Sequence, residues 1–114
     1  ALQIRKDKLG ENHVDVAMSY NNLGNVYYSL GEYQKAIEYY DKALQIRKDK
    51  LGENHVDVAM SYNNLGIVYR NLGEYQKAIE YYDKALQIKK DKLGEDHPET
   101  KRTLNNMSIV KSKL

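Results

Sequence analysis

The residues of this chain best equipped for chemistry are three histidines, sixteen carboxylates and three pairs of adjacent asparagines. His13, His55 and His97 recur every 42 residues, each just ahead of a helical pattern. Three imidazoles can hold a metal or pass a proton only if the fold brings them together. Recurrence at a fixed period argues the reverse. Equivalent positions in a stacked array lie on the order of 20 Å apart, two helix widths. No shared tetrahedral ion is expected, nor any other cofactor, and the imidazoles are assigned to the turns they sit in.

The carboxylates Glu32, Glu38 and Asp41 interleave with Lys35 and Lys42. That is the pattern of a solvated helix face with spaced ion pairs, each contributing about 0.3 kcal/mol. The chain has no cysteine, which excludes thiolate ligands, cysteine nucleophiles and disulfides. No phosphate-binding glycine loop, nucleophile elbow or helix-borne His-Glu pair occurs. Catalysis needs an asymmetric polar constellation, and a strictly periodic one does not supply it, so an enzyme is not expected. Asn106-Met107-Ser108 fits a glycosylation acceptor but falls inside a helical pattern and is read as chance. The asparagine pairs remain: Asn21-Asn22, Asn63-Asn64 and Asn105-Asn106. A carboxamide both donates and accepts hydrogen bonds.

What positions these residues is a repeat. Ala1-Leu2-Gln3-Ile4 returns as Ala43-Leu44-Gln45-Ile46 and as Ala85-Leu86-Gln87-Ile88. Residues 1–42 and 43–84 differ at three places only: Asn25/Ile67, Tyr28/Arg70 and Ser29/Asn71. The third copy stops after thirty residues and has drifted further. A period of this size marks a stacked array in which each unit buries its apolar face on the next.

Within a unit, Val16, Tyr20, Leu23, Tyr27 and Leu30 are spaced four, three, four, three, one face of a helix. Asn12 and Asp15 have capping-box spacing, with Asn12 expected as N-cap; Asn54/Asp57 and Asp96/Glu99 repeat it. Pro98 suits a first helical turn. Leu30-Gly31 closes this helix. Tyr33, Ala36, Ile37, Tyr40, Ala43 and Leu44 give the stripe of a second, with Gly52 as its stop. Each unit is thus a helix of about 16 residues, a tight turn and a helix of about 20, with no period-two stretch and no expected strand. Tyr20, Tyr27 and Tyr40 are expected to fill the space between successive hairpins.

The chain of 114 residues and 13.2 kDa is one small domain at most, able to bury about 65% of its unfolded surface. Eleven tyrosines with no Trp or Phe make tyrosine the sole aromatic packing residue. A net charge of +2 from 18 basic and 16 acidic residues is too even to argue for nucleic acid or a membrane surface. There is no signal-peptide pattern and no apolar run long enough to span a bilayer, so a cytoplasmic location is expected.

Tyr20-x2-Leu23-Gly24-x2-Tyr27, then Ala36-x3-Tyr40, then Ala43 resembles the tetratricopeptide pattern, and Tyr62, Leu65, Gly66, Tyr69, Ala78, Tyr82 and Ala85 repeat it. The 42-residue period and the run Leu-Gly-Glu-Asn-His-x-Asp-Val-Ala resemble the long-repeat branch typified by kinesin light chains. Tyr stands for the usual Trp and Phe, Lys48 and Lys90 for the closing Pro, and Val14 and Val56 for a Pro that only Pro98 keeps.

The resemblance implies an all-α, right-handed solenoid of antiparallel helix hairpins. The expected divisions are a partial second helix at 1–10, repeats at 12–52 and 54–94, and a capping helix at 96–114. Leu104, Ser108 and Lys111 replace the tyrosine, glycine and tyrosine of earlier copies there, as befits a last helix with nothing packed beyond it. The start, Leu2 to Leu9, is expected to expose an apolar side and to favour self-association, end to end or about a two-fold axis.

The resemblance also implies a concave groove lined by the first helices that binds a protein or peptide. The three positions that differ between copies lie at i, i+3, i+4, which would aim Asn25, Tyr28 and Ser29, and Ile67, Arg70 and Asn71, into it. The asparagines Asn21, Asn22, Asn63, Asn64, Asn105 and Asn106 stand where related repeats grip an extended backbone, and Arg102 joins them. One subclass clamps a terminal carboxylate with a Lys/Asn/Asn/Lys/Arg set. Asn25, Asn64 and Arg102 match three of the five, while Asn21 and Asn106 replace charged members, so that clamp is not expected. The expectation is a non-enzymatic interaction scaffold. The alternative is a designed or duplicated array without an evolved ligand.

Overall fold

Helix content follows from the punctuation as much as from the stripes. A computed structural model describes residues 13–114. Among them are five helices and no strand: α1 (Val14–Ser29), α2 (Tyr33–Leu51), α3 (Val56–Asn71), α4 (Tyr75–Leu93) and α5 (Pro98–Lys111). The partial helix expected at 1–10 and the N-cap expected at Asn12 lie outside the described residues.

The first helix of each unit starts on histidine rather than on the residue before it. His13, His55 and His97 are N-caps with extended backbone, and each Nδ1 accepts the backbone N–H two residues on, from Asp15, Asp57 and Glu99 at 3.0, 3.0 and 3.1 Å. A neutral imidazole reaches as an Asp or Asn cap does, satisfying one of the free donors of the first turn. This corrects the expectation for Asn54 and Asp96. Asn54 instead donates to the Asp91 carboxylate of α4. The turn inside each hairpin is closed by glycine. Gly31 has φ 79°, its N–H reaches Tyr28 O at 3.0 Å, and Glu32 N–H reaches Tyr27 O at 2.9 Å. That double bond pattern requires a left-handed residue after the C-cap, where glycine is unstrained.

Each helix packs chiefly on its neighbours in the chain. The result is 45 × 31 × 18 Å, and the least dimension is that of two helix layers at about 9 Å each. Within a hairpin the approach is set by a ring lying on a glycine. A Cβ on Gly24 would stand 2.6 Å from two ring carbons of Tyr40, and one on Gly66 2.9 Å from Tyr82. The other aromatics also work inside hairpins: Tyr20 packs within its own hairpin, while Tyr27, Tyr62 and Tyr69 touch the cluster between hairpins as well, as expected of Tyr27. Tyr20 and Tyr27 both stack on Tyr39, with centroids 6.0 and 5.5 Å apart; Tyr69 stacks on Tyr81 in the same way, and Tyr62 meets it tilted. Lys42 lies over the Tyr20 and Tyr39 rings and Lys84 over those of Tyr62 and Tyr81. These lysines cover aromatic faces instead of pairing with nearby carboxylates.

The joint between hairpins is the core. Ala36, Tyr40 and Leu44 of α2 meet Val58, Tyr62, Leu65 and Val68 of α3, with Ile88 of α4 beside them. Val68 is fully buried there, whereas its counterpart Val26 is 53% exposed and Leu30 is 65% exposed. Leu30 therefore does not complete a buried stripe: among the described residues no helix covers the Val26 and Leu30 side of α1, while α2 covers the Val68 side of α3. On α5, Leu104, Ser108 and Lys111 are exposed.

Candidate functional site

The first helices α1, α3 and α5 carry the candidate residues, and the structure divides these into three groups. The first group is spent inside the array. Asn21 is buried, and its Oδ1 accepts from Asn64 Nδ2 at 2.9 Å, linking α1 to α3. Asn25 Oδ1 accepts from the Tyr40 hydroxyl of the same hairpin. Tyr28 packs its ring at 5.7 Å from Tyr33 and accepts from Asn71 Nδ2 of the next unit. Ile67 packs against the cluster of Ala78, Tyr82, Leu86, Met107 and Val110. These positions were expected to point into a groove. Four of the six differing positions make contacts within the array, although Asn25, Ser29 and Asn71 remain exposed.

The second group is exposed: Asn22, Ser29, Arg102 and Asn105, with Arg70 and Asn106 half-buried. Around them lie apolar side chains that the stripe analysis did not single out. Val14, Met18 and Met60 are all more than a third exposed. With Asn22 they make a mixed apolar and amide surface along α1 and α3 at i, i+4 spacing.

The third group lies where α3 and α5 diverge. A cavity of about 480 Å³ opens between them, lined by Val56, Asp57, Met60 and Asn63 of α3, Glu99, Arg102 and Thr103 of α5, and Lys89 and Leu93 of α4. Asn63 Oδ1 is buried with no hydrogen-bond partner. Lys89 is buried, and its Nζ donates to Thr103 Oγ1 at 3.0 Å. Burial lowers its pKa; the Glu99 carboxylate opposes that shift and Arg102 reinforces it.

Lys89 and its counterpart Arg47 are the residues the sequence reading missed. Arg47 is buried between α2 and α3, where Nη1 donates to Ser61 Oγ at 3.0 Å and to the Asp57 carbonyl at 3.3 Å. Its pKa is lowered by burial, with Asp57 opposing. Both sit in a Lys-rich run that reads as solvated. The one available signal was position: each falls one turn beyond the apolar pair Leu44/Ala43 or Leu86/Ala85, on the packing side of the second helix.

The carboxylate-clamp residues are not assembled, since Asn25 and Asn64 are both engaged internally. Among the described residues no group of three or more His, Cys, Asp or Glu side chains is placed to hold a metal ion. No helix among them is long and apolar enough to cross a membrane.

A sequence profile described as a tetratricopeptide repeat matches residues 1–49, 15–91 and 57–114. No curated protein matches the chain. Among solved structures, BtubC (BKLC) from P. vanneervenii is 30% identical with a TM-score of 0.87, over 96% of this chain and 44% of that one. Nearly identical TPR-like repeats from Podosopora anserina, described as a kinesin light chain, are 22% identical with a TM-score of 0.85, over 96% of this chain and 52% of that one. A point variant of the latter gives the same identity and score. The chain spans about half the length of the structures it matches.

Proposed function

We propose, from the premise that the chain belongs to the tetratricopeptide-repeat family, that it is a non-enzymatic interaction module whose first-helix face takes a peptide or a helix. Repeats of this family generally mediate protein–protein interaction and typically form scaffolds without catalysis. The observation that carries the finer reading is the exposure of Met18, Asn22 and Met60 on the first helices, with Met60 also lining the cavity that holds Asn63 and Arg102. Exposed methionines adapt to varied apolar side chains, and amides grip main chain.

The test is a peptide library screened against the parent and against Met18→Glu with Met60→Glu. Saturable binding lost in the double variant, with helical content unchanged, is the expected result. Absence of any binder at high micromolar peptide would sink the reading.

One observation favours a second reading, a duplicated or designed array without an evolved ligand. The amides of Asn21 and Asn64 and the polar groups of Tyr28 and Asn71 satisfy one another across the joint. The same screen separates the two readings.

A further inference from the structure

We infer that Met18 and Met60 are a paired oxidation site on the first-helix face, where a peroxide turns each thioether into a sulfoxide and thereby weakens peptide binding. The effect on binding rests on the reading above that this face takes a peptide; the site itself does not.

The chain has three methionines and no cysteine. A peroxide therefore finds no thiol to consume, and the thioethers are its two-electron targets. The step needs contact and little else. A sulfur lone pair attacks one peroxide oxygen, and the S–O bond forms as the O–O bond breaks. The departing hydroxide takes the proton of the transferred hydroxyl and leaves as water. Sulfur is oxidised by two electrons and the peroxide is reduced by two.

Access separates the three methionines. Met18 and Met60 are 45% and 44% exposed, whereas Met107 is 6% exposed and packs among Ala78, Tyr82, Leu86 and Val110. Met107 can react only when that cluster opens. The two open side chains are also placed alike, one period apart on α1 and α3.

The product differs where binding would feel it. A thioether is soft and apolar; a sulfoxide is polar and chiral. The exposed apolar set of Val14, Met18 and Met60 loses two of its three members. Met60 also lines the cavity shared with Arg102, which becomes more polar by the same change. Neither side chain belongs to a buried cluster, so the array keeps its fold while its surface changes character. The change is reversible: methionine sulfoxide reductases, one for each epimer, restore the thioether with electrons from thiols.

The test treats the full chain with hydrogen peroxide and locates the added oxygen by peptide mass spectrometry. Met18 and Met60 are expected to oxidise together, with Met107 at least about tenfold slower until urea opens the chain. The urea midpoint and helical circular dichroism of the doubly oxidised chain should match the parent's. A peptide selected from the library should bind the oxidised chain about tenfold more weakly and recover after treatment with the two reductases. Met18→Leu with Met60→Leu is the control: whatever its own affinity for the peptide, peroxide should leave that affinity unchanged. Met107 oxidising as fast as the pair, an oxidised array that unfolds, parent binding indifferent to oxidation, or the leucine variant responding to peroxide as the parent does overturns the inference. Selective oxidation with no peptide binder would refute the groove and keep the oxidation site. A peptide binder with all three methionines oxidised alike would refute the site and keep the groove.

Discussion

Asn71 Nδ2 donates to the Tyr28 hydroxyl across the joint between the two hairpins. Both partners stand at positions where the two copies differ: copy two has Arg70 in place of Tyr28, and copy one has Ser29 in place of Asn71. Two of the three differences are thus the two halves of one hydrogen bond. Identical copies with Arg at the first position would set an arginine against asparagine, and copies with Ser at the second would fall short of the tyrosine. Tyr28 and Asn71 are thus matched to each other, while Arg70 and Ser29, their counterparts, lie outside this bond.

A double-mutant cycle of Tyr28→Phe and Asn71→Ser should report that pair. Both groups are near solvent, so the expected coupling is about 0.5 kcal/mol. Additive losses in chemical denaturation would mean the bond contributes nothing.

The third difference sets up a contrast between two equivalent tyrosines. Tyr40 donates to Asn25, while Tyr82 faces Ile67 and its buried hydroxyl has no partner. Tyr40→Phe should cost about 1 kcal/mol, the net worth of a made bond, whereas Tyr82→Phe should be neutral or stabilising by about as much, since it removes an unsatisfied buried group. Equal losses in the two variants would contradict the assignment.

The hairpin scaffold was readable because spacing encodes it. Gly24 and Gly66 fall at fixed offsets from Ala36 and Ala78, and only close packing offsets a glycine inside a helix. The candidate site was less readable. Helical spacing groups Asn25, Tyr28 and Ser29 on one face, but spacing within a helix cannot say which of them find partners in Tyr40 or in Asn71 of the next unit. Tyr39 and Tyr40 are a second case. Adjacent tyrosines point about 100° apart on a helix, and both turned out to pack, one on rings and one on glycine. Arg47 and Lys89 escaped because charge in a Lys-rich run looks solvated until the neighbouring helix supplies Ser61 or Thr103.

The ring-on-glycine contact predicts an order. Gly24→Ala places a methyl 2.6 Å from a Tyr40 ring that is tethered through its hydroxyl to Asn25. Gly66→Ala meets Tyr82 at 2.9 Å, and that ring has no tether. Alanine regains about 1 kcal/mol of helix propensity in both, against an overpacking cost of about 1–3 kcal/mol. Gly24→Ala should be clearly destabilising, and Gly66→Ala less so. Thermal melts in which Gly66→Ala is the worse variant would refute the tether argument.

The histidine caps predict a substitution pattern. His55→Ala should cost about 1 kcal/mol, and His55→Asn should recover most of it, because the cap function is one acceptor for the Asp57 N–H. An alanine variant as stable as the parent in urea would show that the imidazole caps nothing of consequence.

Alkali should act through Tyr40. Burial, with Tyr28 adding to it, pushes the Tyr40 phenol up to about 12, against an ordinary value of about 10 in the unfolded chain. The folded state therefore holds its proton longer than the unfolded state. The stability that Tyr40 contributes is complete below about pH 10 and falls by about 1.4 kcal/mol per pH unit from there to about pH 12. Burial also raises the phenols of Tyr69, Tyr81 and Tyr82, so the parent's decline will be steeper than one group can produce. Lys89 and Arg47, shifted down by burial, oppose it. Comparing the parent with Tyr40→Phe cancels these shared contributions. Urea unfolding at about pH 8, 10 and 11 should show the variant less stable at the first pH, with the gap closing or reversing at the last. A gap that stays constant through this range would mean that Tyr40 ionises no less readily in the folded chain than in the unfolded one, and the burial of the Tyr40 ring would not reach its hydroxyl.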